Sequence, residues 1–309
     1  MSSLTQIMIS PHIHSGKSTT GIMRDVLIAL LPATIAGTVI FGLRALLVVA
    51  VCVICSVGFE ALFNLIVKKE QTVGDLSATV TGLLLALNLP ANIPLWQCAV
   101  GSLFAIIVVK CLFGGIGQNL VNPAITARVF MLIAFGSMTV SAFPTADTVS
   151  SATPLSTEVM PSLLNLFLGN HGGSIGETCT LALLAGGIYL IIRRVISLHI
   201  PVVFIGTVFV FSFFMEGFNA VEALSMIMSG GVFIGAIFMA TDYTTSPSTP
   251  WGKVIFGLGA GLFTCLIRYF GTYPEGVSFA ILFMNIITPY IARWTRRKVF
   301  TAGGNGNEK

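Results

Sequence analysis

Apolar stretches recur along this chain from Val26 to Arg293, separated by short polar joints. Ten are legible: Val26–Leu43, Ala45–Val67, Leu76–Leu89, Leu95–Phe113, Ala124–Ala142, Thr178–Ile192, Ile200–Met215, Leu224–Ala240, Val254–Phe270 and Val277–Ala292. Runs of this kind predict helices that cross a bilayer. The pattern therefore predicts an all-α polytopic membrane protein with ten transmembrane helices.

Two of the ten segments break the pattern. The third is short and ends in Asn88-Leu89-Pro90-Ala91-Asn92-Ile93-Pro94, followed by Leu95-Trp96. The eighth is Gly-rich and runs into Asp242, Pro247, Pro250 and Trp251. Each is followed by a helix with a cation near its end, Lys110 or Arg268, and then by a glycine loop. The similarity recurs at an interval of five spans. Five is odd, so the two halves have opposite orientation, and interrupted helices at matching places point to the functional centre. The expected division is a tail over 1–25, a five-helix repeat over 26–142, a loop over 143–177, a second repeat over 178–292 and a tail over 293–309.

Composition agrees with a membrane chain. Only 9% of the 309 residues are charged and 55% are hydrophobic, whereas a soluble domain carries about a quarter charged residues. The net charge of +4 is no nucleic-acid signal, because the basic residues sit at segment ends. With the N-terminus in the cytoplasm, Lys17, Arg24, Lys68, Lys69, Arg193, Arg194, Lys253 and the cluster Arg293–Lys298 all fall inside. Only Arg44 and Arg268 fall near the outer face. Both termini are then cytoplasmic, and the cation-free loop Phe143–Glu177 is external. The polar start Met1–Arg24 has no cleavable signal pattern, so the first span is read as retained.

Candidate chemistry is sparse. The outer loop carries Asp147-Thr148-Val149-Ser150-Ser151-Ala152-Thr153, a D-x-x-S-S-A-T heptad whose bland reading is a Ser/Thr-rich loop. On the cytoplasmic side, Gly114-Gly115-Ile116-Gly117 leads into Asn119 and Asn122. Glycines permit close backbone approach to a planar ligand, and Asn amides both donate and accept, as a flavin's pyrimidine edge requires. The alternative is a packing turn capped by Asn. Asp242 lies on the same side and completes a candidate site, or is a solvated cap. Glu60 is an intramembrane carboxylate, functional by default, with Arg44 or Lys68 as candidate partners. Asp75 is read as an N-cap. Cys52 and Cys55 share a helix face, as half of a metal site or as small packing residues. None of the four histidines has metal-ligand spacing.

These residues resemble one family along most of the chain. It includes the D subunit of the Rnf ion-translocating oxidoreductase and the B subunit of the sodium-translocating NADH:quinone reductase. The resemblance is carried by Gly74-Asp75-Leu76-Ser77-Ala78-Thr79-Val80-Thr81-Gly82, Leu87-Asn88-Leu89-Pro90, Gly114 to Ala124, Ser150 to Leu155, and Met239-Ala240-Thr241-Asp242. It implies two inverted five-helix halves in the inner (cytoplasmic) membrane. It implies FMN joined by a phosphoester to Thr153, with Asp147, Ser150, Ser151 and Ala152 read by a flavin transferase. Ser151 replaces a glycine that many members carry. Riboflavin, bound noncovalently in the quinone-reductase relative, maps onto Asn119, Asn122 and Asp242. The expected function is a flavin-carrying electron-transfer subunit of a complex coupling ferredoxin–NAD oxidoreduction to Na⁺ or H⁺ translocation. Partner subunits, in contact with membrane lipid, supply the iron–sulfur, flavin and nicotinamide sites. The rival class is a solute channel or secondary transporter with inverted repeats and no flavin.

Overall fold

A computed structural model of the protein describes residues 18–135, 162–271 and 276–296. The heptad Asp147–Thr153 lies outside the described residues.

Every regular element among the described residues is helical. α1 (Thr19–Phe41) starts earlier than the apolar pattern predicts, because Ser18 caps it by accepting from the Gly21 amide at 3.1 Å. It ends at Gly42, whose φ of 75° turns the chain into α2 (Leu43–Val67). α3 (Ser77–Leu87) is short, as expected. α4 (Leu95–Leu103) continues as a π-helix over Phe104–Cys111. α5 runs over Pro123–Ala134, with Phe135 as its C-cap. α6 (Leu163–Leu168), α7 (Thr180–Ile192) and α8 (His199–Met215) follow. α9 (Ala220–Met228) and α10 (Val232–Ile234), the latter passing into a π-helix over Gly235–Met239, come next. α11 (Pro250–Phe270) and α12 (Val277–Thr295) complete the chain.

Four of these helices, α1, α2, α11 and α12, are long and apolar enough to cross a membrane. The eighth predicted segment is not one helix. α9 and the α10–π unit meet at a 66° bend. The break is Ser229-Gly230-Gly231, where Gly230 has φ of 69°. Counted as one bent span, the pair brings the number of candidate spans to five.

α2 packs on α3 and α4 in the first half, and α8 packs on α11 in the second. The halves join where α1 lies on α7 and α5 lies on α12. Small residues permit the first contact: a Cβ at Gly186 of α7 would fall 2.1 Å from the Ala29 carbonyl of α1. At its lower end the pair is tied by Asp25 and Arg193, 3.3 Å apart, with the Tyr189 hydroxyl donating to Asp25.

The described part of the expected outer loop is folded onto the helices. After α6 the chain turns inward, and His171, Ile175 and Glu177 are buried. The amides of Ile175 and Gly176 donate to the carbonyls of Leu89 and Leu87 at 3.0 and 2.7 Å. These bonds satisfy carbonyls that the end of α3 leaves without intrahelical partners. The two cations predicted nearest the outer face do similar work. Arg44 donates to the Ala91 and Ile93 carbonyls beyond α3, and Arg268 donates to Met226 and Ser229 at the end of α9.

Candidate cofactor site

A cavity of about 110 Å³ opens between α1, α3, the π-segment after α4, α5, α7 and the second π-segment. Its wall includes Asn119, Asn122 and Asp242, the three cytoplasmic-side residues singled out from sequence. They come from loops more than a hundred positions apart. The rest of the wall alternates apolar surface (Val80, Leu84, Leu190, Phe238) with the polar groups of Ser77, Thr81, Lys110 and Thr241. Such a lining, mostly apolar with a few convergent polar groups, is typical of cofactor pockets.

The three residues are not equivalent. Asn122 is the N-cap of α5: its Oδ1 accepts from the amides of Ala124 and Ile125 at 3.0 and 3.4 Å. Its Nδ2 donates to the Met239 carbonyl at 3.4 Å, tying the two halves together. The fold already uses this side chain. Asp242 closes its own turn, accepting from the Thr244 amide and hydroxyl and from the Thr245 hydroxyl at 3.3, 2.8 and 3.2 Å. Removal from water pushes its carboxyl above the ordinary range, and the hydrogen bonds from Thr244 and Thr245 oppose that shift. Asn119 differs: its Oδ1 is buried with no hydrogen-bond partner among the described residues. This amide oxygen is therefore open to a hydrogen-bond donor entering the cavity.

Lys110, marked in the sequence only as a cation near a helix end, stands in this wall. Lys110 is 2% exposed. Its Nζ lies 2.7 Å from Glu60 Oε1 and 2.6 Å from Ser77 Oγ. Glu60 therefore pairs with Lys110 and not with Arg44 or Lys68: one face of α2 meets the π-turn, while Arg44 is committed to Ala91 and Ile93. The π-helix widens the coil at Lys110, a device common at functional sites. Thr72 donates to Glu60 at 2.8 Å, Asn64 donates to Thr72 at 2.9 Å, and Ser77 Oγ donates to Asp75. Asp75 also accepts from the Ser77 amide at 2.7 Å, but it is not the N-cap expected from sequence: that position of α3 is Leu76, and Asp75 ends the preceding 3-10 turn. The polar chain from Asn64 to Asp75 thus ends at the cavity.

A second buried pair lies at the break in α9–α10. Arg128 of α5 and Glu177 sit 2.6 Å apart, and Arg128 also donates to Asn88 Oδ1 at 2.6 Å. Neither is a candidate in the sequence: Arg128 interrupts an apolar run, and Glu177 closes the loop expected to be external. A base and an acid each isolated in apolar sequence are a signal for pairing.

Cys52 and Cys55 do not come together as a pair. Cys52 is buried and meets Cys98 of α4 rather than pairing with Cys55, which is partly exposed. No group of three His, Cys, Asp or Glu side chains suited to a metal occurs among the described residues.

Comparison with known proteins covers nearly the whole chain. It is 49% identical over 301 residues to the D subunit of the Na⁺-translocating ferredoxin:NAD⁺ oxidoreductase complex of Acetobacterium woodii, covering 94% of this chain and 93% of the relative. It is 40% identical to the proton-translocating counterpart of Clostridium ljungdahlii, covering 94% of each chain. It is 34% identical to the D subunit of the ion-translocating oxidoreductase complex of Haemophilus influenzae, covering 95% of this chain and 97% of the relative. Residues 6–301 match the model of the NQR2, RnfD, RnfE family, and with the membrane helices and the Gly114–Ala124 and Met239–Asp242 segments meeting at one cavity, the chain belongs to that family.

Proposed function

We propose that this protein is the flavin-carrying electron-transfer subunit of a membrane complex that couples ferredoxin–NAD oxidoreduction to ion translocation. The observation that carries the coupled oxidoreduction is identity of 49% and 40% across 94% of the chain to two subunits named for such complexes. The heptad ending at Thr153 supplies the attachment point for FMN as a phosphoester. Asp147, Ser150, Ser151 and Ala152 are the recognition positions for a flavin transferase. Partner subunits hold the iron–sulfur and nicotinamide sites.

The cavity is the place for a second, noncovalent flavin, with riboflavin as the proposed occupant. Asn119 Oδ1 suits the imide N–H of an isoalloxazine edge, and Phe238, Leu84 and Val80 give the ring apolar walls. When bound, a flavin accepts one or two electrons; the protein sets its position and potential. Lys110 holds a positive charge on the wall, and Glu60 holds Lys110.

The ten segments are read as two inverted halves, α1–α5 and α7–α12, in the inner membrane with both termini cytoplasmic. The support is the recurrence of an interrupted third segment in each half and the pairing of α1 with α7 and α5 with α12. Spans that are short or broken are usual in such folds where they line a site.

One experiment tests the flavin. The chain, coexpressed with a flavin transferase and denatured, is expected to stay yellow-fluorescent, with FMN on Thr153 by peptide mass spectrometry. An unmodified Thr153 in active protein would refute the assignment and favour a flavin-free transporter.

A further inference from the structure

A second concavity, of about 520 Å³, lies on the far side of the same wall. It runs between α7 and α8 and reaches under α9 to the second π-segment. Every residue lining it is Gly, Pro, Val, Leu, Ile or Phe. A cavity so apolar holds no water network. It also offers no side-chain donor or acceptor to a polar ring.

The groove has a buried floor and an exposed rim. Its floor is formed by Ile227 and Ile237, 4% and 5% exposed, while Val202 on its rim is 61% exposed. A single flexible hydrocarbon chain can follow it.

One end of the groove is basic. Arg193 and Arg194 lie between the lining residues Ile191 and Ile196. Lys253 donates to Ser197 Oγ at 3.0 Å, and both neighbours of Ser197, Ile196 and Leu198, line the groove. Asp25 engages Arg193; Arg194 and Lys253 bring further positive charge to this end. Trp251 is 75% exposed beside Lys253, the aromatic expected at a headgroup boundary.

We propose that this groove is a binding site for one anionic phospholipid, an acyl chain filling the cleft and the phosphate seated by Arg194 and Lys253. The proposal rests on the membrane location of the chain and not on its flavin. It has a consequence for the cofactor cavity: Ile196 lines both spaces, and Ile237 of the groove adjoins Phe238 of the cavity. The lipid chain backs the wall against which the proposed flavin ring would lie.

The test uses the full chain purified from membranes in mild detergent. Native mass spectrometry reads retention of added dioleoylphosphatidylglycerol against dioleoylphosphatidylcholine. The wild type is expected to retain one phosphatidylglycerol in preference. Arg194→Gln and Lys253→Gln should each reduce that preference by about fivefold. Gly206→Leu should expel the lipid, because a Cβ at Gly206 meets nothing within 4 Å and the added side chain enters the groove. Should that variant fail to fold, phosphatidylglycerol brominated in its acyl chains decides the matter. It should quench a Val202→Trp variant above the background of the three native tryptophans. Equal retention of the two lipids, full retention by folded Gly206→Leu, or no added quenching at position 202 overturns the proposal. A Val202→Cys variant that crosslinks in the membrane to a second polypeptide also overturns it, by giving the groove to a partner helix.

Discussion

An ammonium and a carboxylate 2.7 Å apart, each 2–3% exposed, are the most consequential contact in this bundle. Burying either ion alone is costly; Ser77 accepts from Lys110 and Thr72 donates to the same Glu60 oxygen, while Glu60 Oε2 has no hydrogen-bond partner among the described residues. Glu60→Gln or Lys110→Met alone should therefore destabilise the purified chain by roughly 3–5 kcal/mol. The double variant Glu60→Leu/Lys110→Met should recover most of that loss, since an apolar pair of similar volume needs no desolvation. Thermal unfolding in detergent measures both. If the double variant also loses bound flavin while keeping stability, Lys110 acts on the cofactor as well as the fold; unaltered flavin content would confine the pair to structure. At Thr153 the expectation is simpler. Thr153→Val keeps the side chain's shape and removes the hydroxyl that the phosphoester requires, so covalent fluorescence should vanish while the protein still inserts. Persistence of fluorescence on the denatured variant would move the acceptor to a neighbouring hydroxyl.

Among the elements, the interrupted helices set the geometry. α3 ends at Leu87 with its carbonyls taken by Ile175 and Gly176, and α9 ends at Met228 with carbonyls taken by Arg268. Buried helix ends need such partners, because no water reaches them in a bilayer. The halves then dock through α1 and α7, where Gly186 brings a backbone against a backbone. Gly186→Ala should cost about 1–3 kcal/mol, because the new methyl must displace the Ala29 carbonyl. Gly206→Ala on α8 meets open space and serves as the control. Matched melting temperatures for the two alanine variants would show that α1 and α7 have room to separate and that the close approach is not needed.

For the whole molecule, the distribution of charge predicts the orientation. Lys68, Lys69, Arg193, Arg194, Lys253 and Arg293 lie near segment ends, and positive charge at those ends predicts that they face the cytoplasm. In a background with the native cysteines replaced, a Ser156→Cys probe should react with an impermeant maleimide on intact cells. Reaction only after lysis would invert the orientation.

The sequence by itself determined what composition and periodicity can carry. Apolar runs gave the helices, because a chain in lipid must satisfy its backbone within each segment. Pro and Gly at Pro90, Pro94, Gly230 and Gly231 announced the irregular third and eighth segments, since Pro removes a helix hydrogen bond and Gly weakens a helix. The side shared by Asn119, Asn122 and Asp242 was legible from the count of spans. Tertiary structure alone decided the partners. Glu60 could have met several cations, and the π-turn that delivers Lys110 to it is set by packing, not by local propensity. Arg128 and Glu177, 49 positions apart, become a pair only when the chain after α6 folds inward against α3 and α5. For Asn122 the sequence left ligand contact and helix cap both open, because the same amide chemistry serves both uses, and the geometry shows the cap. The groove beside α8 could not be read from sequence at all. Its lining is indistinguishable from any lipid-facing surface until α7, α8 and α9 are placed side by side, and hydrophobicity carries no direction of its own.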